Sequence, residues 1–120
     1  MQLQEIDVTK HTREEYVRQA RARVEEIRDL QAGIEAQRKD APRIVQEDLD
    51  TCALDIQAYI LRAEDEIELL EHADERDWIG MRGDVDVAIG DAQRAVERAY
   101  ELLSNPSAGM RPERDFSELR

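Results

Sequence analysis

The chain has 120 residues, enough for one domain with its own core, and a formal net charge of −12 that argues against direct nucleic-acid binding, since phosphate contacts need a basic footprint. With only 5 glycines, 3 prolines and 4% aromatics, its composition is that of long helices rather than sheets. The single cysteine, Cys52, excludes an internal disulfide and a multi-cysteine zinc site.

The first residues, MQLQEIDVTKH, are polar and unpatterned. They show no basic start leading into an apolar core, so no secretory signal is expected. No run of about 18 apolar residues is present to cross a bilayer, and a soluble cytoplasmic protein with no membrane contact is the expectation. HTREEY then offers a capping box, with the Thr12 hydroxyl capping a helix and Glu15 reaching back, and His11 lies just before it with no assigned role. The first helix is predicted over about residues 12–39. Its seam is Val17, Ala20, Val24, Ile27, Gln31 and Ile34, alternating three and four apart, with Tyr16 and Leu30 widening the stripe. KDAPR ends it, because the residue before Pro42 is pushed out of the helical region while proline suits the first turn of a new helix.

A second helix follows over about residues 42–73, with Val45, Leu49, Cys52, Ile56, Tyr59, Ala63 and Leu70 as seam and Ala53, Ile60 and Ile67 beside it. At about 100° per residue, Leu54, Ala58 and Leu61, with Leu69 nearby, fall on the opposite side. One helical neighbour cannot cover both sides. Either the third helix covers Leu54, Ala58 and Leu61, or they form an interface through which the chain self-associates into a homo-oligomer.

The third helix is predicted over about residues 77–104, capped by Asp74 or Asp77. Val85, Ile89, Ala92, Val96, Ala99 and Leu103 make its stripe, with Ala88, Ala95 and Leu102 alongside. Its alanines allow close approach. Residues 105–120, NPSAGMRPERDFSELR, read as a flexible tail in which Phe116 and Leu119 could dock. The fold class expected is all-α: an antiparallel coiled-coil hairpin with a third helix folded back to give an elongated three-helix bundle.

Two stretches, REEYVRQ at 13–19 and WIGMRGDVDVAIGDAQRAVERAYELL at 78–103, with Trp78, Met81, Arg82, Val85 and Ala88 at matching offsets, carry a resemblance. In them the chain resembles a group of small bacterial coiled-coil proteins often labelled stress-response-related, whose biochemical role is not established. The resemblance implies a long helical hairpin followed by a tryptophan-led third helix, and no catalytic residue. The chain departs from that pattern in Gly80, Gly83 and Gly90 and in favouring arginine over lysine.

Charge is unevenly laid out: residues 40–77 carry −10 of the total, whereas residues 12–39 carry +1. Glu64, Glu68, Glu71 and Glu75, spaced four, three and four apart, form one acidic stripe. A hairpin turning near residue 41 brings Arg13, Arg18 and Arg21 level with residues 68, 63 and 60, so part of the stripe is expected to meet arginines. Two readings stay open: a solvated face with register-setting pairs, or a docking surface for a basic protein partner. A metal site is disfavoured, because a carboxylate-bridged centre needs Glu-x-x-His, whereas Glu68 and His72 are four apart and position 69 is leucine. Cys52 lacks a cationic or histidine neighbour at helical spacing and reads as core, not nucleophile. No cofactor and no catalytic residue is expected. The functional expectation is a non-enzymatic scaffold or adaptor acting through protein–protein contacts. Alternatives are an acidic decoy for a basic or nucleic-acid-binding surface and, more weakly, a small carboxylate metal protein.

Overall fold

The computed structural model describes residues 2–104, with side chains described from residue 12 onward, so the reading of residues 105–120 as a tail lies outside it. Three helices make up the described chain: α1 (Gln2–Arg38), α2 (Arg43–Glu71) and α3 (Trp78–Ser104). They form an elongated bundle with extents of 65 × 33 × 23 Å.

Contacts between side chains define how the helices run. Arg13, Arg21, Arg28 and Arg38 of α1 pair with Glu75, Glu71, Glu64 and Asp50, so ascending α1 means descending α2 and the hairpin is antiparallel. Tyr16–Asp86, Arg23–Gln93 and Tyr100–Leu30 all join residues 70 apart, so α1 and α3 lie parallel in a fixed register.

α1 begins at Gln2, so the capping box at Thr12 does not start it. Nothing from residue 2 to residue 12 breaks a helix, since neither proline nor glycine occurs there. A capping sequence favours a start without forbidding continuation.

The α1–α2 turn is short. Asp40 and Ala41 donate their N–H groups to the carbonyls of Gln37 and Arg38 at 3.2 and 3.0 Å, closing the last turn of α1. Pro42, extended at φ −59° and ψ 151°, stands just before the first helical residue and gives no side-chain cap. The carbonyls left over are met from α2 instead: Gln46 Nε2 donates to Arg38 O at 3.0 Å and to Ala41 O at 3.2 Å. That role of Gln46 depends on the folded turn and has no local sequence signature.

α2 ends at Glu71, two residues before the predicted Ala73. His72 closes it, its backbone N–H reaching the carbonyl of Glu68 at 3.2 Å while that of Ala73 reaches Leu70 at 3.3 Å. Asp74 serves the next turn through its carbonyl, which accepts from the N–H groups of Asp77 and Trp78 at 2.9 and 3.2 Å.

The predicted seams are the core, except that Tyr59 of α2 and Leu103 of α3 are only half-buried, while Ile60 and Ile67, expected beside the seam, are fully buried. Val17, Ala20, Val24, Ile27 and Ile34 of α1 are buried, with Gln31 half-buried, whereas Leu30, expected to widen the stripe, is exposed. On α2, Val45, Leu49, Cys52, Ile56, Ile60, Ala63, Ile67 and Leu70 are buried, and on α3 four alanines, Ala88, Ala92, Ala95 and Ala99, share the interior with Val85, Ile89 and Val96. Truncating a fully buried residue such as Ile60 to alanine removes a methylene-rich knob from a closed interior, a loss of about 2–5 kcal/mol.

Glycine acts differently along the bundle. A Cβ on Gly33 would stand 3.1 Å from the Tyr100 hydroxyl, which donates to the Leu30 carbonyl at 3.3 Å, so Gly33 admits that ring against α1. At Gly80 and Gly83 an added Cβ meets nothing within 4 Å. Gly80→Ala and Gly83→Ala are therefore expected to stabilise the fold by up to about 1 kcal/mol each, since alanine loses less backbone entropy. The check is a higher urea midpoint at an unchanged slope.

Candidate functional site

Three surfaces follow from this frame: the junction where α2 hands over to α3, the acidic stripe, and the outer side of α2.

The junction is organised around Trp78, which is 1% exposed. The guanidinium carbons of Arg13 and Arg82 each lie 5.7 Å from its ring centroid, and Tyr16 packs against it with centroids 6.4 Å apart. Arg13 does more than cover the ring. Its Nη1 donates to the carbonyls of Leu70, Glu71 and Ala73 at 3.2, 3.3 and 2.8 Å, and its Nη2 to Glu75 at 3.0 Å. A cation from α1 thus caps the negative end of α2, where carbonyls lack helical partners. The Tyr16 hydroxyl donates to Asp86 at 2.6 Å, and burial, seconded by that carboxylate, pushes its phenol pKa up. Beside the junction a cleft of about 620 Å³ is lined by Arg13, Arg18 and Arg21 and by Glu14, Glu71 and Glu75. Positive and negative groups already face each other there, so the cleft carries no net appetite for one sign of ligand.

The stripe is divided. Glu75 meets Arg13 at 3.0 Å, Glu71 meets Arg21 at 2.6 Å and Glu64 meets Arg28, while Arg18 turns to Glu15 of its own helix. The pairing partners lie farther along the chain than the level positions 68 and 60 expected for Arg13 and Arg21: Glu71 at the end of α2 for Arg21, and Glu75 in the loop beyond it for Arg13. Side chains lean toward the N-terminus of their own helix. In an antiparallel hairpin, arginines on α1 lean away from the turn and glutamates on α2 lean toward it, so they meet only when the glutamate is rooted farther out. Glu68 has no ion pair among the described residues, and its carbonyl, 2.9 Å from His72 Nδ1, is engaged instead.

At the turn end, Arg38 grips Asp50 with two bonds of 2.7 and 3.0 Å, which hold the Asp50 carboxyl below its ordinary pKa. A folded value below the unfolded one means that the pair's contribution is full above the ordinary carboxylate range. It is lost as pH falls through the lowered value. The expected result is an NMR titration midpoint for the Asp50 side chain below that of a model aspartate, returning toward it in Arg38→Gln.

The outer side of α2 is open. Leu54 is 73% exposed and Leu61 50%, Ala58 between them is exposed, and Leu69 is 59% exposed. α3 packs on the seam side and leaves this row uncovered. Near its end, Asp65, Glu68, Leu69 and His72 line a hollow of about 450 Å³. Among the described residues no three His, Cys, Asp or Glu side chains are gathered as a metal would need. Cys52 is buried in the core, and burial pushes its thiol pKa up, away from the reactive thiolate. No helix of the described residues is long and apolar enough to cross a membrane.

No family model matches the chain, and no match is found among curated proteins or solved structures. What stands is the coarse plan of three helices, all-α, over the described residues.

Proposed function

We propose that this chain is a non-enzymatic scaffold or adaptor whose work is done through protein–protein contacts. The observation that carries the reading is the solvent-facing row Leu54, Ala58 and Leu61 on the outer side of α2. A chain this acidic hides Leu49 and Leu70 of α2 in the seam, yet leaves Leu54 and Leu61, with Leu69 beyond them, in water, where apolar residues in a row mark an interface. The rest of the site supports the same reading: three of the four stripe glutamates, Glu64, Glu71 and Glu75, are engaged by arginines and set the hairpin register. A stress-related setting, suggested by the resemblance of REEYVRQ and the tryptophan-led third helix, belongs to this proposal.

The test is capture from extract of the native cell by the full chain, repeated at low and high salt with oligomeric mass measured alongside. Retention of a partner in defined stoichiometry at both salts is the expected result. A chain that retains nothing and sediments as a monomer would overturn the reading. Capture that vanishes at high salt, with loss of nucleic-acid binding by the captured protein, would replace it with the decoy.

A further inference from the structure

We infer that the outer side of α2 receives an amphipathic helix of a partner protein, apolar along one row and basic toward one end. The inference rests on the adaptor reading above and names the partner's chemistry. Leu54, Ala58 and Leu61 supply an apolar strip two turns long. Carboxylates bracket it at both ends, Glu47 and Asp50 toward the turn, Asp65 and Glu68 toward the far end, all on the same side of the helix at about 100° per residue.

The two ends differ. Toward the turn, cations are already present: Asp50 is held by Arg38, and Glu47 lies 3.9 Å from Arg43. Toward the far end, Asp65 and Glu68 are exposed, have no ion pair among the described residues, and border the hollow beside Leu69. A helix laid here therefore meets leucines along its length and uncompensated negative charge at one end.

A second copy of the chain fits poorly by the same charges. If α2 pairs with itself antiparallel so that Leu54 meets Leu61, then Asp50 meets Asp65 and Glu47 meets Glu68. If it pairs parallel, each carboxylate meets its own copy. Paired parallel, like charges face each other; paired antiparallel, the free acidic end meets an end whose cations, Arg38 and Arg43, are already shared with Asp50 and Glu47, whereas unengaged basic residues on a partner helix turn the same positions into attraction and steer its approach. From Leu54 to Glu68 the contact runs about 21 Å, four turns of helix.

The probe is a synthetic peptide of about 16 residues, with lysines in its first two turns and leucines at three- and four-residue spacing after them. A control peptide has the same residues scrambled, keeping the charge and losing the row. Fluorescence-anisotropy titration against the full chain is expected to give saturable binding at least tenfold tighter for the patterned peptide. Leu61→Glu and, separately, Leu54→Gln should each weaken it at least tenfold with helicity unchanged; Leu54, 73% exposed, keeps the test valid should Leu61→Glu fold poorly. Asp65→Asn with Glu68→Gln should flatten the dependence of affinity on salt.

Equal binding of the scrambled peptide, binding untouched by either leucine variant, or no binding at all overturns the inference. So does a dimer of the free chain that Leu61→Glu dissolves, which makes a second copy the occupant. If the chain retains a partner in extract but ignores the patterned peptide, this surface is wrong and the adaptor reading stands.

Discussion

Trp78→Ala is expected to destabilise the bundle by about 3–5 kcal/mol, the range for emptying a large aromatic site in a closed core. The residue is 1% exposed at the first position of α3, so its ring fixes where the α2–α3 loop ends and how α3 enters the bundle. Removing it frees the Arg13 and Arg82 guanidiniums of the face they cover and leaves Tyr16 without its neighbour. For a domain of about 100 residues, a loss of 3–5 kcal/mol lowers Tm by tens of degrees. Calorimetry or circular dichroism checks it. A loss under about 1 kcal/mol would show that α3 is held by its alanine seam alone.

Trp78→Phe separates packing from polarity at the same site. The indole Nε1–H is buried without a partner among the described residues, a donor whose desolvation opposes folding by about 1–3 kcal/mol. Phenylalanine keeps most of the apolar contact and removes that donor. Its cost is expected to be less than half that of alanine, measured by urea unfolding followed by circular dichroism, since Trp78 is the sole tryptophan and its fluorescence is lost.

How far the sequence alone discloses this molecule depends on the range of the signal. The seam of α2, from Val45 to Leu70, is legible because a long antiparallel contact repeats the same local demand every three or four residues. The exposed row of Leu54, Ala58 and Leu61 is legible as an apolar side, but whether α3 covers it depends on where α3 packs, which no local pattern encodes. The start of α1 misleads because Thr12 and Glu15 satisfy a local rule that nothing upstream enforces. The ion pairs are legible as a set and displaced in register, since a ladder counted on backbone levels omits the lean of long side chains.

Least legible is Arg13, one of seventeen Lys and Arg residues and ordinary in its local context. In the fold it becomes the tie between all three helices. Its side chain is only 16% exposed, it donates to three carbonyls at the end of α2, and it lies over the ring that begins α3. Hydrogen bonds to a charged donor contribute about 1.5–3 kcal/mol, and the part-buried carbonyls of Leu70 and Ala73 left without this partner add to the loss.

Arg13→Met, which keeps the apolar stem and deletes the donors, is therefore expected to cost about 2–4 kcal/mol. The loss should be local before it is global: amide exchange should accelerate first at residues 71–78, where the loop and the last carbonyls of α2 lose their common anchor. Arg13→Lys should recover less than half of the loss. A single ammonium keeps the charge opposite Glu75, but it lacks the planar fork that reaches carbonyls and carboxylate together while covering an aromatic face. Full recovery by lysine would assign the whole effect to charge at the end of α2. A cost below about 0.5 kcal/mol for methionine would mean that water satisfies those carbonyls and that Trp78 holds the junction without help from α1.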